Sequence, residues 1–250
     1  MRGACSGSPW TTSCGSSPAD AGLPPLTLGS PRAHFRLTDS TNEQARRLAE
    51  LGAPHGTLVT ASAQSSGRGR QGRSWFAPPG RALLCSLVLR EFRRLLPLAA
   101  GVAVAEALGD GAQVKWPNDV LLEGRKVAGI LVEGRPQEGW AVLGIGINVA
   151  VSADDLPGEL RAHAGGLGLG PAQVEPMLAR LLDRLEPWLS ARDEDVLRAL
   201  RARDALHGRP VRWAGRAGRG DGIDDAGRLR VLTEEGVIVL DAGEVHLIRE

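Results

Sequence analysis

Apolar and polar positions divide the chain into stretches of different period. From His34 the short run HFRL (34–37) reads as a strand. Asp39-Ser40-Thr41 then has the character of a helix start: Ser40 or Thr41 can cap, Glu43 or Gln44 stands three residues on, and an amphipathic stretch runs to Leu51. GTLVTASA (56–63) and ALLCSLVLR (82–90) are apolar runs short enough to be buried strands. LLPLAAGVAVAEALG (95–109) is long enough to be a buried helix, with Gly109 as its stop. Past residue 113 four strand-like runs follow: QVKW, DVLLEG, RKVAGILVEG and WAVLGIGINVA. A tight Glu123-Gly124 turn between the middle two marks a hairpin. Over 172–205 the period returns to helical, with Leu178, Leu181, Leu182, Leu185 and Trp188 on one face. After Gly208 only short strands remain (PVRW, DGIDD, RLRVL, VIVL, EVHLI), separated by glycine-containing turns as in a small all-β barrel.

The expected architecture is therefore α+β, with a mixed α/β domain over 34–205 and a small β-barrel over 206–250. Residues 1–33, rich in Ser, Gly and Pro and without an apolar period, read as a disordered tail. No apolar run approaches the roughly 18 residues that a membrane span needs. No apolar stretch of the secretory kind follows Arg2, so a cytoplasmic location is expected. The formal charge of +1 gives no bulk attraction to nucleic acid or anionic lipid. Cys5, Cys14 and Cys85 are odd in number and lack metal-ligand spacing, which suits reduced thiols. One compositional detail changes the picture. The chain has 28 arginines but only two lysines, Lys115 and Lys126, so at two nearby positions a compact ammonium stands where a planar guanidinium is the habit.

Three segments carry candidate chemistry. In QSSGRGRQGRSW (64–75) three glycines alternate with Arg68, Arg70 and Arg73 straight after a core strand. Glycine lets backbone N–H groups approach a ligand, and arginine offers paired donors to phosphate or carboxylate oxygens. A small polyanion fits this loop; a solvated Arg/Gly loop and an RNA-binding RG segment are its rivals. It lacks the Lys-Ser/Thr ending of a P-loop. In VKWPNDVLLEGRKVAGILVEG (114–134), Asn118 and Asp119 are presented behind Pro117, and Lys126 opens an otherwise apolar strand; Arg125-Lys126 as the polar shoulder of a hairpin is the alternative. In LGIGINV (143–149), Gly144 and Gly146 thin a strand so that something can approach its backbone, with Asn148 at its end; a β-bulge is the bland reading.

Taken in order, GRGRQGRSW, KWPND, RKVAGILVE and GIGIN resemble the biotin–protein ligases that biotinylate acetyl-CoA carboxylase, and the last 30 or so residues are similar to that family's C-terminal barrel. The likeness runs over 34–250. It implies the biotin/lipoate ligase fold, of the class II synthetase-like type, with an SH3-like C-terminal barrel. It also implies an enzyme that uses ATP, as its magnesium complex, to make biotinyl-5′-AMP and passes biotin to a lysine of a biotin carboxyl carrier protein. By the same resemblance Ser40, Thr41, Asn42, Gln64, Arg68, Gly69, Arg70 and Lys126 surround biotin. Arg70, Arg73, Trp75, Lys115, Asn118 and Asn148 hold ATP, and Lys126, Arg70 and Lys115 act in catalysis. Asp119 either touches ligand or supports the turn, and no metal ligands are assigned. Relatives often pair edge to edge, so a homodimer is a candidate state. Some carry an N-terminal DNA-binding domain, which the 33 residues ahead of His34 do not resemble. The rivals are a lipoate-type ligase of the same fold and a non-catalytic biotin sensor.

Overall fold

The computed structural model describes residues 28–248. Of the disordered tail expected over 1–33, residues 1–27 lie outside them, but 28–33 are ordered: Leu28 is buried, and Arg32 and Ala33 already pair with Leu58 and Val59 in the first strand, which starts two residues earlier than expected. Order of elements follows the apolar pattern closely. Strand β1 (Arg32–Phe35) leads into helix α1 (Thr41–Glu50), then β2 (Leu58–Ala61), β3 (Leu83–Leu89) and helix α2 (Leu96–Leu108). Strands β4 (Gln113–Lys115), β5 (Asp119–Leu122), β6 (Arg125–Arg135) and β7 (Trp140–Ile147) follow, then a single turn α3 (Gly158–Arg161) and helices α4 (Val174–Ser190) and α5 (Asp193–Arg201). The last part holds β8 (Pro210–Trp213), β9 (Arg216–Ile223), β10 (Leu229–Thr233), β11 (Gly236–Leu240) and β12 (His246–Leu247).

Seven strands form one sheet in the order β1-β2-β3-β7-β6-β5-β4, with β1 and β2 parallel and every other pair antiparallel. All seven residues of β3 are buried, because both faces of the sheet are covered. On one face the apolar helix α2, backed by α4 and α5, meets Leu87, Ile130, Leu143 and Ile147 in the main core. On the other, α1 packs Ala45 and Ala49 against Val59, Val88 and Val142. Leu181 of α4 is fully buried in the main core. Leu181→Ala should therefore cost about 2–5 kcal/mol, read as a lowered urea midpoint with an unchanged slope.

The C-terminal strands form a five-stranded antiparallel sheet, β11-β10-β9-β8-β12. It is fastened to the outer strand of the large sheet. Val114 N donates to Arg203 O (2.8 Å), Ala205 N donates to Val114 O (3.0 Å), and the Trp116 indole donates to Gly227 O at 3.0 Å. Among the described residues no helix is long and apolar enough to cross a membrane.

Two local expectations need correction. Neither Ser40 nor Thr41 caps α1 through its own hydroxyl; Gln64 Oε1 accepts from Thr41 N (2.7 Å) in their place, so the cap comes from a residue 23 positions away. The helical stretch 172–205 is two helices, because Ala191 is extended (φ −60°, ψ 148°) and Asp193, Glu194 and Asp195 start a new helix with negative charge at its N-terminus. Arg93 and Arg94, just ahead of α2, tie separate elements together. Arg93 donates to Leu189 O (2.8 Å) and Ala191 O (2.5 Å) at the end of α4, and Arg94 donates to Ala226 O in the C-terminal sheet.

Candidate functional site

Strands β3, β7 and β6 carry a floor of small residues on the α1 face. In one row Ser86, Gly144 and Leu131 lie side by side; in the next, Leu84, Gly146, Gly129 and Asp119. A pocket of about 360 Å³ lies on this floor, a size that suits a small organic ligand. Every residue expected at the site lines this one pocket, from Ser40 to Asn148. The bland reading of LGIGINV as a bulge fails, since β7 pairs with both neighbours without a register shift. The glycines are instead filled by the protein's own side chains. A Cβ on Gly144 would stand 1.9 Å from Asn42 Oδ1, and one on Gly146 would stand 2.6 Å from the Trp75 indole.

One end of the pocket is neutral and hydrogen-bonding. Asn42 is buried; its amide nitrogen donates to Glu133 Oε2 (2.8 Å), so its oxygen faces the Ser86 hydroxyl at 2.6 Å. Ser86 also lies 2.8 Å from the Thr41 hydroxyl, which in turn donates to Gln64 Oε1 at 3.1 Å. Arg68 stands above this end, 3.0 Å from Glu133 and 3.5 Å from Glu43.

The other end is cationic. Asp119 sits between the chain's two lysines, 2.6 Å from Lys126 Nζ and 3.2 Å from Lys115 Nζ. Burial works to raise the Asp119 pKa, but the two ammonium groups outweigh it and hold the carboxyl below its usual value. Asp119 therefore supports: both oxygens are engaged, and the trio carries a net positive charge. Asn118 donates to Ile130 O (3.0 Å) and accepts from Arg70 at 3.1 Å, which aims that guanidinium into the same end. Burial lowers the Arg70 pKa, partly offset by Asp119. Asn148 donates to Gly165 O (2.8 Å), while its buried Oδ1 has no partner in the structure. The same holds for the buried Trp75 indole nitrogen, on a ring whose centroid lies 5.7 Å from Lys126 Nζ.

The 64–75 loop forms the roof and is folded upon itself. Trp75 N donates to Gly67 O (2.8 Å), Gly69 N donates to Arg73 O (2.7 Å), and Gln71 takes a positive φ of 55° to make the reversal. A Cβ on Gly67 would stand 2.4 Å from Trp75 O, so only glycine permits this closure. Four contributors were not foreseen from sequence. Ser86 interrupts the apolar run LLCSLVL, which was a usable sign. His163 stands just after α3, and Glu244 and His246 come from the C-terminal sheet; local pattern has nothing to say of these. Glu244 forms an ion pair with Arg73. Burial, then the charges of Lys115 and Arg73, push the His246 pKa down. Cys85 lies in the floor strand, and burial pushes its thiol up to about 12, so it stays protonated and inert. Among the described residues no group of three His, Cys, Asp or Glu side chains is placed to hold a metal ion.

Comparison with known proteins agrees with this arrangement. The profile of the Biotin/lipoate A/B protein ligase family matches residues 34–150. The biotin–[acetyl-CoA-carboxylase] ligase of Paracoccus denitrificans is 35% identical, over 83% of this chain and 97% of that protein. The bifunctional ligase/repressor BirA of Bacillus subtilis is 32% identical, over 90% of this chain and 77% of that protein. Among solved structures, the biotin protein ligase of Aquifex aeolicus in complex with biotin and ATP superposes with a TM-score of 0.73 at 30% identity, covering 88% of this chain and 99% of the other. With its sheet, its arginine–glycine roof and its paired lysines, the chain belongs to the biotin/lipoate ligase family, and within it to the biotin–protein ligases.

Proposed function

We propose that the neutral end of the pocket takes the biotin ring system and the cationic end takes ATP, with the biotin carboxylate and the α-phosphate meeting beside Lys126. On this reading residues 34–205 are the biotin- and ATP-binding domain, and the C-terminal sheet closes it from one side. Thr41 and Asn42 offer donors and acceptors to a cyclic urea, with the buried Ser86 behind them and Ser40 and Gln64 beside them. Gly69 lets the roof come down over the chain of the ligand, and Arg68 covers it. Arg70, Arg73, Lys115 and Asn118 face the phosphates. The unpartnered Asn148 Oδ1 suits the exocyclic amine of adenine, and Trp75 packs beside the base.

The observation that carries this reading is the Lys115–Asp119–Lys126 trio with Arg70 beside it. A carboxylate that attacks a phosphate brings two anions together, and cations already fixed in place lower the cost of that approach. The biotin carboxylate oxygen bonds to the α-phosphorus, the bond to the bridging oxygen breaks, and pyrophosphate leaves. The product is a mixed anhydride that water would hydrolyse, so a roof that excludes water preserves it. The amine of the carrier lysine then attacks the carbonyl carbon, and AMP departs. Magnesium would enter on the phosphates, holding mainly nucleotide oxygens and water; the pocket carboxylate Asp119 is already committed to the lysines.

The acceptor is a biotin carboxyl carrier domain of acetyl-CoA carboxylase or a related carboxylase, and the reaction belongs in the cytoplasm, where ATP is made available. The outer edge of β4 is already bonded to residues 203–205, so a homodimer formed edge to edge would use β1. A lipoate-type ligase is disfavoured by the polar Thr41–Asn42–Ser86 end, and a biotin sensor has no use for the phosphate-facing cations. The test is labelling of a purified carrier domain, read by streptavidin blot. Labelling that requires both biotin and ATP is expected. Biotin bound without labelling would indicate a sensor, and labelling by lipoate alone would indicate the related ligase.

A further inference from the structure

Glu133 belongs to none of the groups just described, yet it touches two of them. One oxygen accepts from the Asn42 amide at 2.8 Å; the other lies 3.0 Å from Arg68 Nη2. Glu43, at the start of α1, stands 3.5 Å from the same guanidinium. Arg68 is thus gripped between a carboxylate on the helix and a carboxylate on β6, across the mouth of the pocket. It is the roof's anchor at this end, where the loop otherwise offers Gly67 and Gly69 and no apolar side chain. At the far end the roof is anchored by Trp75 on the glycine floor and by the Arg73–Glu244 pair.

We propose that Glu133, assisted by Glu43, is a positioning residue that latches the 64–75 roof over the bound intermediate through Arg68 while it orients Asn42 toward the ligand. The inference rests on the functional reading above. Both partners are partly solvated, so the pair adds little to fold stability. Its effect falls on opening of the roof, and hence on how fast a ligand beneath it escapes. Glu43 is the weaker hold, being also engaged by Arg46 and Arg47.

The experiment uses the full chain as wild type, Glu133→Gln, Arg68→Gln and the double variant. Biotinyl-AMP is made in place from labelled biotin and ATP without carrier, and its release is followed by dilution into unlabelled biotin. KM for biotin, kcat with carrier and Tm are measured alongside. Glu133→Gln is expected to speed release and raise KM for biotin by roughly three- to tenfold, the size of one partly exposed charge pair. The kcat should stay within about twofold and Tm should not move, since the group acts on closure. In the Arg68→Gln background the same substitution should speed release no further, because the latch is already open, and only the part of the KM effect that passes through Asn42 should persist. Unchanged release, release effects that add in the double variant, or a fall in kcat with a lower Tm would each overturn the latch. Failure of the wild type to form biotinyl-AMP would overturn the functional reading instead, and the latch with it.

Discussion

Lys126→Ala is expected to reduce carrier labelling by about two to three orders of magnitude, the usual loss when one fixed charge is removed from a developing anion. The ammonium lies 2.6 Å from Asp119 and 5.7 Å from the Trp75 ring centroid, within a pocket also lined by Lys115, Arg68, Arg70 and Arg73. Its removal does two things at once. The approach of carboxylate to α-phosphate loses its central cation, and Asp119 keeps only Lys115, so the trio falls from a net charge of plus one to zero. Lys126 is about a third exposed (36%), and its backbone is held by β6, so the fold should stand. The loss should appear in kcat for pyrophosphate release more than in KM for biotin, since the interaction matters most as charge is shared in the transition state. Lys126→Arg should recover little. Twenty-eight arginines in the chain show how readily that residue is used here, and the space beside Gly129 and Trp75 suits a point charge better than a flat fork. Activity within about tenfold of wild type would remove Lys126 from the chemistry.

Gly144→Ala should be the second large effect, and for a steric reason. The added methyl would stand 1.9 Å from Asn42 Oδ1 and 2.8 Å from its Cγ, far inside contact distance. Asn42 has little room to yield: it is 4% exposed and bound to Glu133 and Ser86. The side chain must leave its place or α1 must lift from the sheet, and either displaces the neutral end of the pocket by about an ångström. Misplacement on that scale costs on the order of a hundredfold. The expected signature is a KM for biotin raised by about two orders of magnitude, with nucleotide binding by calorimetry little changed. Gly170→Ala is the control, since a Cβ there meets nothing within 4 Å. A normal KM in Gly144→Ala would mean that Asn42 does not meet biotin.

The fold was largely legible because its strands are buried on both faces and so appear as unbroken apolar runs. LLCSLVL could hardly be anything else, and α2 declared itself by length. Spacing alone could not divide α4 from α5; that boundary depends on where the DED sequence after Arg192 restarts a helix. The site was legible where its residues are close in sequence: the roof, the KWPND turn and Lys126 form local patterns. Asp119's role was not, because it depends on two lysines meeting one carboxylate across the β4–β5–β6 ladders. Neither was the fate of Gly144 and Gly146. Their smallness announced a close approach, but only the folded chain shows that the visitors are Asn42 and Trp75. Glu133, Glu244 and His246 lay wholly beyond local reading, since nothing near them in the sequence indicates which distant group they face.

The pocket wall begins at Ser40 and ends at Leu247, which has a consequence for synthesis. A ribosome making this protein exposes the floor and most of the roof first, but Arg73 must wait for Glu244, far later in the chain. The pocket is therefore finished only after the last strand leaves the exit tunnel. Until then a nascent chain lacks the wall that Glu244, His246 and Leu247 supply, and a reactive adenylate held there would be more open to water. The order of translation thus puts the groups that make the adenylate ahead of the wall that shelters it.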